Sequence, residues 1–251
     1  MSITAVILAK NEEKLIGQCI KSIDFCDEII IIDDFSTDKT KSIAENAGAK
    51  VFQHKLNDNF SQQRNFGIEK ANSDWVIFID TDEILNEDLK EEIKNIVSRD
   101  GDLSSYRLRR RDYFWNHEMR FGEIIEARNN GIIRFIRKGK NRWFGNVHEK
   151  YIADNRIGRL NGFINHYPHQ TIKEFIISVN FYSTLRAKEL YKQDKIMNIF
   201  QLIFFPFGKF IYNYFFRLGF LDSSAGFVYS FMMSFHSFLV RAKLLQYTLY
   251  D

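Results

Sequence analysis

The chain has 251 residues, enough for one large hydrophobic core or for one domain with an appendage. Its composition, 45% hydrophobic and 27% charged, is that of a globular protein and excludes a disordered chain. A net charge of +3 is too small to indicate nucleic-acid binding, and we expect no nucleic-acid partner. Phenylalanine is unevenly distributed, since 12 of the 25 lie between Phe200 and Phe238.

The two cysteines and the N-terminal segment favour a cytoplasmic location. Cys19 and Cys26 have no metal-type spacing, and we expect small buried thiols in a reducing compartment. The start MSITAVILAKNEE has a short apolar run and no basic region before it, unlike a secretory signal peptide.

The first third of the chain alternates between apolar runs and amphipathic segments. The predicted strands are ITAVILA (3 to 9), EIIIID (28 to 33), KVFQH and WVIFID (75 to 80). The predicted helices are NEEKLIGQCIKSI, TKSIAENA ending at Gly48, and SQQRNFGIEKA with Ser61 as its N-cap. This alternation predicts an open α/β sheet with mainly parallel strands.

Beyond about residue 100 the pattern changes twice. SYRLRRRDYFW reads as a strand with a cationic face, and GIIRFIRKG and NRWFGNVHEKY as further sheet or loop segments. After NHYPHQTIKEF the pattern becomes helical, first in FIISVNFYSTLRAKELYKQ and then in the phenylalanine-rich tail. We therefore expect one domain over 1–165 and a helical region over 166–251.

Polar residues follow three of the predicted strands, at the sheet edge where open α/β sheets bind ligands. They are Lys10, Asn11 and Glu12 after the first strand, Asp33 and Asp34 after the second, and Asp80 and Asp82 after the fourth. This arrangement predicts one polar, mostly acidic crevice.

The segment DTDE, residues 80 to 83, has two interpretations. A D-x-D pair at a strand end suits Mg²⁺ or Mn²⁺ bridging to phosphate oxygens, and no soft cysteine ligand is nearby. Alternatively, Asp82 or Glu83 caps the following helix. Both hold if Glu83 caps that helix while Asp80 and Asp82 bind the metal.

Three motifs in order carry a resemblance to a known family. The NEE turn, the turn DDFSTDKT and the strand end DTD, with QQRNFGIEKANSDW before the last, resemble family 2 glycosyltransferases of the GT-A fold. NVHEKY resembles the VHE motif of a bacterial subgroup that adds glucose to the inner core of lipopolysaccharide or lipooligosaccharide. The resemblance covers roughly residues 1 to 165, which would be the catalytic domain.

The resemblance implies a role for each matching residue. The Ala9 backbone, Asn11 and Glu12 would border the nucleoside, and Asp33 or Asp34 would accept a hydrogen bond from uracil or ribose. Arg64 would bind the diphosphate. Asp80 would face the ribose or the metal, and Asp82 would bind the metal. The chain departs from the family at Phe35, where many relatives carry glycine, and it lacks the usual ED base motif.

The catalytic base is therefore sought downstream of the D-x-D pair. An inverting transfer needs a base for the acceptor hydroxyl, and we assign Glu149 to it, with His148 as a metal, phosphate or orienting group. The alternative is a structural His148 and a Glu149 that pairs with Lys150 on the surface. Asp112 is the rival base.

An arginine cluster lies in the middle of the chain. Arg107, Arg109 and Arg111 share one strand face with Arg110 opposite, and Arg134, Arg137 and Arg142 follow. They protect a solvated edge strand or bind an anionic acceptor such as a phosphorylated core oligosaccharide, with Arg109 and Arg134 as substrate-binding candidates.

The tail raises the question of a membrane. Ser223 to Val240 is an 18-residue stretch without Lys, Arg, Asp or Glu, but its serines weaken insertion. Phe227, Phe231, Phe235 and Phe238 form a stripe, and MNIFQLIFFPFGKFIYNYFFRLGF resembles an interfacial segment. We expect helices on the inner face of the cytoplasmic membrane, rather than a purely internal helical pair or a span.

Together these features predict a metal-dependent, inverting hexosyltransferase. It would transfer glucose from UDP-glucose to a lipid-linked bacterial surface glycan such as lipopolysaccharide core. One alternative keeps the fold with a polyprenyl-phosphate or capsule acceptor. The others are a nucleotidyltransferase, for which AKNEEK lacks the glycines, and a non-enzymatic basic interaction protein.

Overall fold

The computed structural model divides into two compact units. One comprises Met1–Arg110 and Asn129–His166, and the other Arg111–Arg128 and Tyr167–Asp251. The residues described are 1–99, 103–139, 141–146, 149–153 and 156–250. Residues 111–128 thus group with the C-terminal helices and not with the rest of the segment 1–165.

The first unit is built on four parallel strands in the spatial order β3-β2-β1-β4. They are β1 (Ile3–Ala9), β2 (Glu28–Asp33), β3 (Lys50–Gln53) and β4 (Trp75–Asp80), connected by helices α1 (Ile16–Lys21), α2 (Thr40–Asn46) and α3 (Phe60–Lys70). The predicted parallel α/β sheet is confirmed. The predicted Ser61 cap is wrong, because Asn59 caps α3 by accepting from the Gln62 amide at 3.0 Å.

Further strands extend the sheet beyond β4 with antiparallel pairings. They are β5 (Glu83–Leu85), β6 (Ser105–Phe114), β8 (Ile132–Arg137) and β11 (Gly158–His166), with helix α4 (Glu87–Arg99) between β5 and β6. A separate two-stranded pair consists of β9 (Trp143–Phe144) and β10 (Lys150–Tyr151). This extension supplies side chains from β8 and β11 to the crevice at the end of β4.

Alternate residues of the strands pack into two hydrophobic clusters, as the period of two in a strand requires. Ala5, Ile7 and Ile77 belong to one cluster, while Val6 and Phe78 belong to the other, and all five are buried. Because both faces are covered, these strands read as continuous apolar runs. Burial of each large side chain contributes about 1.5–3 kcal/mol, which fixes the register of the strand ends.

The second unit is mainly helical. Its elements are β7 (His117–Met119), which pairs with the end of β6, the short helix α5 (Ile125–Asn129), α6 (Ile172–Tyr191), α7 (Ile199–Ile211) and α8 (Ser223–Tyr250). Thr171 and Glu174 form a capping box at the start of α6. Phe114, Phe175 and Met232 are among the residues of its core.

In the part of the chain that the structure describes, no helix is long and apolar enough to cross a bilayer. The predicted phenylalanine stripe of α8 is divided between core and surface. Phe235 packs against the core of the second unit, whereas Phe227, Phe231 and Phe238 are exposed.

Candidate active site

The predicted acidic crevice forms where the parallel strands end. Ala9 on β1 is in register with Asp33 on β2, and its neighbour Leu8 is in register with Asp80 on β4. The carboxyl ends of adjacent parallel strands meet at one sheet edge, so the polar residues after these strands gather there. Because β1 lies between β2 and β4, the structure brings the three predicted sets together at the ends of adjoining strands.

The turns after β1 and β2 hold each other in place. Asn11 Oδ1 accepts from the Thr37 amide at 2.8 Å, and the Asn11 amide donates to Ser36 Oγ at 2.9 Å. Asp33, fully buried, accepts from the Ser36 amide at 3.1 Å. The NEE and DDFSTD motifs therefore form one interlocked structure and not two separate loops.

Asp34 is fixed from two sides. Its carboxylate accepts from Lys10 Nζ at 2.6 Å and from the Leu56 amide at 3.0 Å. Lys10 is largely exposed, whereas the carboxylate is almost buried. The lysine thus supplies a positive charge at the open side of the crevice.

Phe35 occupies a conformation that normally favours glycine. Its φ is 53°, in the left-handed region, which costs an ordinary residue about 1–2 kcal/mol. The turn therefore keeps the geometry that glycine would adopt, and the cost is met by the surrounding hydrogen bonds. The Phe35 ring is left 52% exposed.

Asp80 is held by two buried arginines. Its Oδ1 lies 3.3 Å from Arg64 Nη2 and 3.3 Å from Arg134 Nη1, and its Oδ2 accepts from Arg134 Nη2. Burial alone would raise the pKa of Asp80, but the charges of Arg134 and Arg64 outweigh it and hold this pKa well below its usual range. Asp80 is therefore an ionised anchor for both guanidinium groups at neutral pH.

Arg64 connects Asp80 to the candidate base. Its Nε donates to Glu149 Oε1 at 2.8 Å, and its guanidinium lies 5.5 Å and 5.2 Å from the rings of Phe78 and Trp143. Arg64 Nη1 is buried and has no hydrogen-bond partner among the described residues. A buried donor of this kind suits an anionic ligand oxygen.

Glu83 is a structural part of the same cluster. It lies fully buried on β5, where its Oε2 accepts from the Asp80 amide at 2.9 Å and its Oε1 is 3.5 Å from Arg134 Nη2. Burial raises the pKa of Glu83, and the Arg134 charge opposes this. The prediction that Glu83 caps the next helix is wrong, because Asn86 Oδ1 accepts from the Leu89 amide at 3.1 Å.

Asp82 pairs with a histidine that the sequence did not indicate. His166 Nε2, from the end of β11, lies 3.3 Å from Asp82 Oδ2. Burial alone would raise the pKa of Asp82, but His166 lowers it, and Arg110 adds to this. The segment NHYPH, which contains His166, was noted in the sequence only as the start of the helical region. His166 reaches Asp82 because β11 pairs with β5, which brings His166 opposite Glu83.

The donor set at Asp82 fits a hard divalent cation. A carboxylate oxygen and an imidazole nitrogen stand together, and Mg²⁺ or Mn²⁺ commonly takes one or two protein ligands and completes its shell with phosphate oxygens and water. Within the described residues no group of three His, Cys, Asp or Glu side chains converges, so the protein would supply only part of the shell.

Glu12 lies on the same side of the crevice. Burial, followed by the charges of Asp82 and Asp38, raises the pKa of Glu12 to about 7. Its amide donates to Thr40 Oγ1 at 2.7 Å, which fixes the backbone of the NEE turn. Glu12 therefore contributes both to the crevice wall and to its negative potential.

The remaining predicted residues are placed as follows. The Arg109 guanidinium stacks 4.1 Å from the Phe163 ring, whereas Arg110, on the opposite strand face, is the arginine whose charge acts on Asp82. Asp112 is buried in the part of β6 that belongs to the second unit, opposite Met119. His148 lies outside the described residues.

The parallel sheet and its strand-end carboxylates are those of a glycosyltransferase of the GT-A fold. The chain belongs to glycosyl transferase family 2, because the model of that family matches residues 4–161, more than half of the chain. The predicted family and fold class are confirmed.

Full-length relatives support this assignment. The chain is 29% identical to the lipopolysaccharide core biosynthesis glycosyltransferase LpsC of Rhizobium meliloti, over 98% of this chain and 93% of the relative. It is 33% identical to an uncharacterized glycosyltransferase of Rickettsia bellii, over 98% of this chain and 87% of the relative.

Two solved structures are similar at lower identity. Glucosyl-3-phosphoglycerate synthase from Mycobacterium tuberculosis, in complex with Mn²⁺, UDP and glucosyl-3-phosphoglycerate, is 23% identical with a TM-score of 0.38, covering 45% of this chain and 44% of that one. S. aureus TarS is 18% identical with a TM-score of 0.47, covering 74% and 40%.

Proposed function

We propose that this glycosyltransferase transfers glucose from UDP-glucose, with inversion and with a divalent cation, to a lipid-linked bacterial glycan of the lipopolysaccharide core type. The observation that carries the proposal is the Asp82–His166 pair beside the Asp80, Arg64 and Arg134 cluster. The acceptor class is supported by LpsC, whose name places it in lipopolysaccharide core biosynthesis.

In this proposal Asp82 and His166 hold Mg²⁺ or Mn²⁺. A cation there would neutralise the negative charge that develops on the departing nucleotide diphosphate. Asp80 would contact the ribose and position the two arginines, and it would not bind the metal, because both of its oxygens already accept from guanidinium groups. Arg64 Nη1, buried and unpaired within the described residues, would donate to a diphosphate oxygen.

The nucleoside would lie over the ends of β1 and β2. The Ala9 backbone, Asn11 and Glu12 border this space, and Asp33 or Asp34 would accept from the uracil N–H or the ribose. The interlocked turns hold these groups before any ligand arrives, which reduces the entropic cost of binding.

Glu149 is the proposed base. Its Oε1 is held by Arg64 Nε, which fixes the carboxylate so that it can take the proton of the acceptor hydroxyl. As that proton moves, the hydroxyl oxygen bonds to the anomeric carbon and the bond from this carbon to the diphosphate oxygen breaks. His148 would orient the reacting groups, and Arg109 would contact an anionic acceptor. Asp112 remains the rival base.

The donor site is tested by calorimetry of UDP binding with and without Mn²⁺. We expect metal-dependent binding that falls at least tenfold in Asp82→Asn and in His166→Gln, since each removes one of two protein ligands. Arg137→Gln, on β8 but outside the crevice, is the matched control. A UDP affinity that is unchanged both by Mn²⁺ and by the Asp82 substitution would contradict the metal assignment.

The base is tested by turnover with a UDP-glucose donor. Glu149→Gln should retain UDP affinity and lose at least a hundredfold in transfer rate, because the amide cannot accept the proton. Asp112→Asn is the comparison variant. If Glu149→Gln keeps its turnover and Asp112→Asn loses it, the base is Asp112.

Association with the inner face of the cytoplasmic membrane is part of the proposal. Helix α7 exposes Phe200, Ile203, Phe204 and Phe207 at the spacing of one helical face, each more than half exposed. An apolar face of this size is typical of an interfacial helix. Phe200→Ser with Phe207→Ser should abolish co-flotation with vesicles, and unchanged flotation would contradict membrane association through α7.

A further inference from the structure

A positively charged groove opens on the surface of the helical unit. Its volume is about 660 Å³, and its walls include Phe204, Phe205, Tyr212, Lys209, Arg217 and Arg241. The aromatic residues and Lys209 come from α7 and the π-helical segment that follows it (Tyr212–Phe216), whereas Arg241 comes from α8. The groove therefore combines apolar walls with three cationic side chains.

The charges in this groove are not balanced. Of the described residues, Glu123 is the one carboxylate in the groove lining, and it already accepts from Lys209 Nζ at 3.0 Å and from Asn213 Nδ2 at 2.6 Å. Among the described residues neither Arg217 nor Arg241 forms an ion pair with a carboxylate. Three cations and one carboxylate leave an excess of two positive charges.

Arg241 is positioned for an anion that none of the described residues provides. Its Nη1 donates to Ser237 O at 2.9 Å and Oγ at 2.7 Å, and its guanidinium lies 4.3 Å from the Phe205 ring. Its Nε is buried without a partner among the described residues, and burial lowers the pKa of Arg241. Because the Arg241 guanidinium is partly desolvated, a phosphate oxygen would stabilise it more than the same oxygen would stabilise an exposed arginine.

Arg217 is held in a similar way. Its guanidinium lies 5.0 Å from the ring of Tyr212, which also lines the groove, and this cation–π contact restricts the side chain. Two arginines fixed by aromatic rings offer a planar, multidentate donor surface, which is the geometry that phosphate groups prefer.

We propose that this groove binds the phosphate headgroup of an anionic phospholipid at the membrane surface. The proposal rests on the membrane association proposed above, and it adds a defined lipid site to it. Phe204 belongs both to the exposed apolar face of α7 and to the groove lining, so the acyl-chain region and the headgroup site are continuous. This continuity favours a lipid over an acidic protein or free phosphate.

The test compares binding of the full chain to vesicles of phosphatidylcholine alone and of phosphatidylcholine with phosphatidylglycerol. Arg217→Gln with Arg241→Gln should weaken binding to the anionic vesicles about 30-fold and leave neutral vesicles unaffected. Lys192→Gln with Lys195→Gln removes the same charge from exposed residues outside the groove and should have a much smaller effect. Thermal unfolding and UDP binding confirm that each variant is folded.

A third variant narrows the groove without changing its charge. Gly208 lines the groove and a Cβ there meets nothing within 4 Å, so Gly208→Leu adds a large side chain to the groove lining without a clash at Cβ. It should lower the ratio of anionic to neutral vesicle affinity about tenfold. An unchanged ratio in this variant would contradict the groove as the headgroup site.

The possible failures can be distinguished. Equal losses in the arginine and lysine variants would show a diffuse surface attraction and overturn the lipid site, although membrane association would stand. Absence of binding to every vesicle would overturn the membrane association itself. Inorganic phosphate that binds this groove tightly without vesicles would overturn the lipid as its occupant.

Discussion

Arg134 is the residue on which the stability of the strand-end cluster should depend most. It is 7% exposed and pairs with the fully buried Glu83 and the partly exposed Asp80, so Arg134→Met removes one cation from two carboxylates. Methionine has a similar length and adds no polar group. We expect a clear loss of stability because the carboxylates of Asp80 and Glu83 lose the cation they share, and Glu83 is fully buried.

The size of the effect follows from the contacts that remain. Loss of one partner of a buried ion pair costs about 3–5 kcal/mol. The lower value applies here, since Arg64 stays 3.3 Å from Asp80 and Glu83 can take up a proton. At about 2–4 °C per kcal/mol for a chain of this length, the melting temperature should fall by about 6–12 °C.

The effect should depend on pH in a defined direction. In the parent protein the lowered pKa of Asp80 gives stability that is present above its unfolded value and is lost as the pH falls through the folded value. In Arg134→Met the folded-state pKa values of Asp80 and Glu83 rise. The difference in the free energy of unfolding should therefore be larger at pH 7.5 than at pH 5.

The assay is denaturant unfolding at pH 5 and pH 7.5, with Arg137→Gln as the matched control. Arg137 lies on the same strand, is partly exposed and contacts the Trp75 ring at 6.0 Å, so its loss should cost less than about 1 kcal/mol. A loss below 1 kcal/mol in Arg134→Met, or a loss that is equal at both pH values, would refute the reasoning.

Two further predictions concern stability. Gly162→Ala should lower the free energy of unfolding by about 1–3 kcal/mol in denaturant, since its Cβ would lie 2.5 Å from Leu89 Cα. Gly208→Ala, with open space and a helical backbone, should be neutral or stabilising, and equal effects of the two variants would contradict the steric argument. The raised pKa of Glu12 means that the stability associated with its protonated form is fully present below pH 4.5 and is lost as the pH rises through about 7. Glu12→Gln should therefore be more stable than the parent protein at pH 8 but not at pH 4, measured in the presence of a chelator. A gain in stability at pH 4 would contradict the burial argument.

The sequence was most informative where the period of side-chain burial is simple. β1, β2 and β4 have the bounds that their apolar runs predicted, because a strand buried on both faces has few ways to begin or end. The carboxyl ends of these strands followed directly. Asp33 and Asp80 could therefore be placed at one edge of the sheet without knowledge of any contact between them.

The partners of the carboxylates were harder to predict because they come from distant strands. Arg134 was expected to contact an acceptor, and the pairing of β8 with β4 also brings its guanidinium to Asp80, a contact that the sequence did not indicate. His166 reaches Asp82 because β11 is antiparallel to β5. Register between strands 50 to 80 residues apart leaves no local signal in the sequence, so neither partner could be assigned from spacing.

The arginine strand β6 illustrates the same limit in more detail. Period-two alternation correctly separates Arg110 from Arg107 and Arg109, but it cannot show which face meets the crevice. The sequence assigned no arginine to the D-x-D pair, whereas in the structure the charge of the single residue Arg110 acts on Asp82, while Arg109 stacks on Phe163. The number of charges on one face of a strand thus does not predict its function, because the pairing with neighbouring strands determines which face meets the crevice. Substitution of Arg110, rather than Arg109, should consequently alter the affinity of Asp82 for a divalent cation.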